Sequence, residues 1–73
     1  MKQLNDNERL VVDTVVESLP NTTFRVESTE SGKIILAYLS GKMRKFRIKI
    51  MIGDKVDVVT DKAEEKGRIT RRL

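Results

Sequence analysis

Cysteine, histidine and tryptophan are all missing from this chain of 73 residues. Without cysteine there is no disulfide framework and no thiolate metal site. Without histidine the commonest general base, the commonest zinc ligand and every His-containing catalytic triad are excluded. Proline occurs once, and the aromatics are only Phe24, Tyr38 and Phe46. No apolar run approaches the roughly 20 residues of a membrane-spanning helix. The polar start, Met-Lys-Gln-Leu-Asn-Asp-Asn-Glu, lacks the apolar stretch of a signal peptide. The carboxylates make no paired acid and base: Asp54 and Asp57 suit turn geometry and solvation, and Glu64-Glu65 a solvated loop. These absences lead to one soluble, intracellular, non-enzymatic domain over residues 1–73, with residues 1–8 flexible. No metal, cofactor or catalytic residue is expected.

What the chain does have is segregated charge. The net charge is +4. Residues 31–53 carry six basic residues, Lys33, Lys42, Arg44, Lys45, Arg47 and Lys49, and no acid. Residues 66–73 carry four more, Lys66, Arg68, Arg71 and Arg72, again without an acid. The remainder is acidic, with six acids against three bases in residues 1–30 and five against two in residues 54–65. Clustered cations attract phosphate and release its counterions, so this pattern points first to nucleic acid. A solvated charged surface is the plain alternative.

The apolar pattern is mostly of period two. Leu10–Leu19 reads as a long first strand, Pro20-Asn21 as a turn, and Thr22–Glu27 as a half-buried strand with Phe24 and Val26 on one face. Ser28–Gly32 reads as a polar hairpin loop. Lys33–Leu39 is the most apolar stretch and reads as a central strand buried on both faces. At Ser40 the pattern breaks: a serine that can cap a helix precedes residues suited to one helical turn. Phe46–Ile52 alternates again, with its even positions toward a core and its basic ones outward. Gly53-Asp54 is a turn, Lys55–Thr60 a strand with Val56 and Val58 inward, Asp61–Lys66 a charged loop or short helical turn, and Gly67–Leu73 a last strand. Many short strands with regular turns imply an all-β barrel or sandwich. A five-stranded OB-fold with a short helical turn between strands three and four fits the length; an SH3-like barrel is the structural rival.

The candidate binding residues follow from this placement. Lys42, Arg44 and Lys45 leave a capped turn in several directions, and Arg47 and Lys49 extend the cationic surface. Together they suit a phosphate backbone, with arginine able to bind bidentately and lysine acting as a point charge. Gly41-Lys42 is no phosphate loop, because the Walker spacing is missing. Met43 reads as a partly buried filler, with a wedge against an RNA base as the sharper option. Phe24 reads as core. Tyr38 is either core or a surface stacking platform. Phe46 is either a core anchor or a base-stacking residue within the basic block. So few aromatics favour recognition through backbone cations over stacked single strands.

The chain also contains, in order, Leu19-Pro20-Asn21-Thr22, Phe24-Arg25-Val26, Ser40-Gly41-Lys42-Met43-Arg44-Lys45, Gly53-Asp54-Lys55-Val56 and Lys66-Gly67-Arg68-Ile69. This ordered series, covering about Thr14 to Ile69, resembles bacterial-type translation initiation factor one. The resemblance implies a single OB-fold domain, monomeric when free and without cofactor or catalysis. It implies binding at the decoding A site of the small ribosomal subunit, against rRNA and an adjacent ribosomal protein. There such a factor occludes tRNA and assists the other initiation factors, in the cytoplasm or, for a plant or alga, the plastid stroma. In the family the turn matching Ser40–Lys45 enters an RNA minor groove. Carried over by position, Lys42, Met43, Arg44, Lys45, Arg47, Lys66 and Arg68 are RNA-binding candidates. The basic blocks and the exposed-aromatic reading add Phe46, Lys49 and Arg71.

Departures from the family pattern are specific. Asp13 stands where a glycine is usual in the first strand, so an exposed bend or bulge is expected there. Tyr38 replaces a frequent histidine, and Phe46-Arg47 replaces an Asn-Tyr pair, adding a charge. Asp61–Glu65 replaces a Pro-Tyr-Asp segment, and Arg71-Arg72-Leu73 lacks a terminal aromatic. Two rival functions share the composition: a cold-shock-type RNA chaperone, which needs an exposed aromatic platform, and a protein-interaction module whose basic face meets an acidic partner.

Overall fold

The computed structural model of the chain describes residues 7–61, 63 and 65–73. Five strands and one short helix follow in order: β1 (Glu8–Leu19), β2 (Thr23–Ser28), β3 (Ile34–Leu39), α1 (Gly41–Lys45), β4 (Lys55–Asp61) and β5 (Lys66–Arg72). The strands close into a barrel in the order β1-β2-β3-β5-β4. All pairs are antiparallel except β3 with β5. This is the five-stranded OB-fold barrel, with its helix between strands three and four.

Closure depends on β1, which is long enough to pair twice. Glu8–Thr14 pair with β4, and Asp13–Leu19 pair with β2. A shift of register between Val15 and Glu17 marks a bulge where the strand turns the corner. The bulge thus lies beyond Asp13, which sits in regular pairing opposite Val56 and Ser28. Asp13 is buried on the inner face, 1% exposed, so the exposed bend expected there is not what the fold uses. Residues 1–6 lie outside the described residues; Glu8, the last of the segment expected to be flexible, is paired with Asp61 at the start of β1.

The turns use the residue types expected of them. Asn21 and Thr22 both have left-handed backbones after Pro20. In the β2–β3 connection Gly32 has a positive φ, and the Ser28 hydroxyl accepts from the backbone N–H groups of Glu30 and Ser31. Of the Asp61–Lys66 segment, Asp61 ends β4 and Lys66 begins β5; Lys62 and Glu64 lie outside the described residues.

The core is the barrel interior: Val15, Phe24, Val26, Ile35, Ala37, Leu39, Val56, Val58 and Ile69, with Met43 and Ile50 closing one end. One burial expectation is reversed, and β4 keeps Val56 and Val58 inward as expected. β3 is buried on its inner face only, and Ile34, Leu36 and Tyr38 face out. β4 is the strand buried on both faces, from Val56 to Thr60. Its outward residues are flanked by long neighbours, with Arg71 opposite Asp57 and Arg68 opposite Val59, and aliphatic arms of this kind cover apolar surface while their heads stay wet.

Phe46–Ile52 forms no strand. A closed barrel offers no free edge to pair with, so its period-two pattern is met differently. Ile50 is buried and Ile48 packs against the core, whereas Phe46 and Ile52 are exposed.

Candidate nucleic-acid interface

The basic turn is built by two caps. At its start the Ser40 hydroxyl accepts from the Met43 backbone N–H at 3.3 Å, and the Ser40 carbonyl from Arg44 at 3.1 Å. At its end Arg47 takes a left-handed backbone with φ of 52°. The Arg47 N–H then donates to the Arg44 carbonyl and the Ile48 N–H to the Met43 carbonyl, each at 3.1 Å. This is a complete Schellman closure, with Ile48 and Met43 as its apolar pair on the core side. No acid lies in the first turn, and Lys42, Arg44 and Lys45 crowd the last, where the helix dipole favours cations.

Glycine is the usual residue at the left-handed position, and a side chain there costs about 1 kcal/mol relative to it. A glycine also widens the unfolded ensemble by a similar amount. Arg47→Gly is therefore expected to melt within about 4 °C of the parent or above it, as followed by circular dichroism. A drop of more than about 10 °C would show that the Arg47 side chain holds the fold.

Lys42, Arg44, Lys45, Phe46, Arg47 and Lys49 are all exposed around this turn. The Lys45 ammonium lies 5.8 Å from the centre of the Phe46 ring. Arg72, from the last strand, donates to the Lys49 carbonyl at 3.1 Å and ties the post-helical segment to β5. Arg71 is 3.1 Å from the Asp57 carboxylate and remains largely exposed. Lys66 and Arg68 are placed elsewhere, on the outer face of β5 opposite Leu36 and Tyr38 of β3. Arg68 is 4.0 Å from Glu8. With Tyr38, Val59 and Asp61 they line a shallow cavity of about 230 Å³. The candidates thus fall on two surfaces, the capped turn with the end of β5, and the β3–β5 face.

One candidate is corrected. Met43 is 2% exposed and belongs to the core, because the caps orient that side of the turn inward; it has no surface to offer a base. Both ambiguous aromatics face outward, Tyr38 at 45% and Phe46 at 61% exposure. Phe46 loses its expected core role because the helix C-cap falls on it. The outward place of Tyr38 beside Arg68 was hidden by the unbroken apolar run around it.

The family model for translation initiation factor 1A / IF-1 matches residues 2–73. The chain belongs to this family. Among solved structures, the solution structure of translation initiation factor one from the Wolbachia endosymbiont strain TRS of Brugia malayi is similar at a TM-score of 0.72 and 37% identity, over 93% of this chain and 80% of that one. The crystal structure of YjeQ from Thermotoga maritima is similar at a TM-score of 0.74 and 34% identity, over 89% of this chain. The chain spans only 23% of that longer protein. The initiation-factor chain thus carries the barrel of its family.

Proposed function

We propose that this translation initiation factor binds the small ribosomal subunit at the decoding A site. There the capped turn lies against rRNA and the barrel occludes tRNA entry while the other initiation factors act. The observation that carries this is the turn itself: an acid-free, doubly capped element whose backbone holds the Cα positions of its exposed cations before any partner arrives. A backbone fixed in advance leaves only side-chain ordering to be met on binding. Arg44 and Arg47 suit bidentate phosphate contacts, and Lys42, Lys45 and Lys49 act as point charges. Arg71 extends this surface at the end of β5, and Arg68 and Lys66 supply a second cationic surface on the β3–β5 face. The partners are decoding-site rRNA, an adjacent ribosomal protein and the other factors. The action is occlusion and electrostatic positioning, with no catalytic step and no cofactor, and the free factor is a monomer in the cytoplasm or plastid stroma.

Co-sedimentation with purified small ribosomal subunits across a salt series tests this. Binding should approach one to one and disappear with an A-site competitor. Its logarithm should fall against log salt by roughly 0.7 to 0.9 for each phosphate neutralised. Binding that ignores both salt and competitor would overturn the site. The exposed Tyr38 and Phe46 favour a second reading, an RNA chaperone of cold-shock type. They stand on different elements, however, and form no contiguous platform. Retained affinity for free single strands without subunit binding would select that reading.

A further inference from the structure

The cations of this chain differ in what stands beside them. Among the described residues, Lys42, Arg44, Lys45, Arg47 and Lys49 of the basic turn face no carboxylate. The two arginines of β1 and β2 are paired: Arg25 Nε lies 2.9 Å from Glu17 Oε1, and Arg9 Nη2 lies 3.3 Å from Glu30 Oε2. β5 is intermediate, with Arg68 4.0 Å from Glu8 and Lys66 facing no carboxylate among the described residues. Neither close pair is needed to hold the barrel. Glu17 and Arg25 are already opposite each other in the β1–β2 ladder. The connection carrying Glu30 is fastened to β1 by Thr29, whose hydroxyl and backbone N–H donate to the Val12 carbonyl at 2.8 and 3.2 Å. All four side chains are about half exposed or more, where ion pairs contribute little to folding.

What the pairs change is the field. A cation in contact with a carboxylate presents phosphate with a dipole, which fades within the roughly 8 Å screening length of physiological salt. It has no net charge with which to displace a counterion. RNA is anionic along its whole backbone, so a domain of net charge +4 docks in one orientation only if its other faces are kept from binding. We propose that Glu17 and Glu30 are orientation-determining residues: by engaging Arg25 and Arg9 they withhold the β1–β2 side from RNA and leave the capped turn as the docking face. The inference rests on the RNA-facing reading of that turn. The two acids act through the arginines and do not themselves touch RNA.

The test uses the full chain with oligouridylate, which forms no duplex, and with purified small ribosomal subunits. E17Q/E30Q should melt with the parent and bind oligouridylate about tenfold more tightly at low salt. Its salt slope should steepen by roughly 1.4, for two added single-strand phosphate contacts at roughly 0.7 each. On subunits it should bind beyond one copy each. E27Q/E65Q makes the same change of net charge without freeing an arginine, since neither acid faces a cation among the described residues, and should keep the parent's slope. So should R9Q/E17Q/R25Q/E30Q, which removes both members of each pair. Unchanged binding by E17Q/E30Q, or an equal steepening in E27Q/E65Q, would overturn the assignment. A large loss of melting temperature in E17Q/E30Q would also overturn it, by making the pairs structural. A parent chain that binds no subunits would instead overturn the small-subunit reading, on which the oligouridylate measurement does not depend.

Discussion

Gly67→Val is expected to cost about 3 kcal/mol of folding stability, the upper end for overpacking a well-filled core. Gly67 lies on the inner face of β5, opposite Ala37 of β3 and Thr60 of β4. A Cβ built there meets the Val58 Cγ1 at 2.4 Å, the Ile35 Cδ1 at 3.1 Å and the Thr60 Cγ2 at 3.3 Å. The first separation is impossible without movement, and Val58 has nowhere to go, being itself fully buried. A domain of this size is held together by on the order of 5 kcal/mol, so the variant should melt about 12 to 24 °C below the parent. The cause is checked by making room. Gly67→Ala should cost less in a Val58→Ala background than in the parent, a departure from additivity that reports direct contact. Melting of Gly67→Val within a few degrees of the parent would mean that the barrel yields there.

The barrel was legible because inward positions of a small closed sheet must alternate. Phe24 with Val26, and Val56 with Val58, showed this in the sequence. The helical turn was legible from Ser40 and the break in period that follows it. What failed was the inference from local apolarity to burial. The run Ile34–Leu39 is as apolar as a strand covered on both faces, but nothing packs outside β3 in a single-layer barrel, so half of it stays wet. β4 looks less apolar, with Asp57 and Thr60 in it, yet is buried from Val56 to Thr60, with Arg68 and Arg71 of β5 paired opposite Val59 and Asp57. The alternation of Phe46–Ile52 is real, but a barrel already closed by β1 and β4 has no edge left for a sixth strand. The Schellman closure left no signal at all, since arginine occupies the place where glycine would have announced it. At the candidate site the cations were readable one by one from charge segregation. Their division between the capped turn and the β3–β5 face was not, because it depends on β5 crossing back in parallel beside β3.

The double reversal Arg44→Glu/Lys45→Glu should weaken binding to small ribosomal subunits about 100-fold while leaving the fold intact. Both side chains are exposed, and neither makes an ion pair or side-chain hydrogen bond among the described residues. Exposed positions of this kind shift stability by roughly 0.5 kcal/mol or less, with a small addition here from acids at a helix C-terminus. Binding is affected far more. Two charge-assisted phosphate contacts at about 1.5 kcal/mol each amount to about 3 kcal/mol, which is a factor of about 100 in affinity. The salt slope should fall with it by roughly 1.4 to 1.8. Met43→Ala supplies the contrast from the inner side of the same turn. It removes a buried side chain and should cost about 2 to 5 kcal/mol of stability, with little change in affinity once the protein is folded. Equilibrium melting and subunit titration on the two variants therefore separate what the turn contributes to the barrel from what it offers to RNA. A double reversal that binds like the parent would move the RNA contact away from the capped turn, and the cations on the outer face of β5, Lys66 and Arg68, would be the next to reverse.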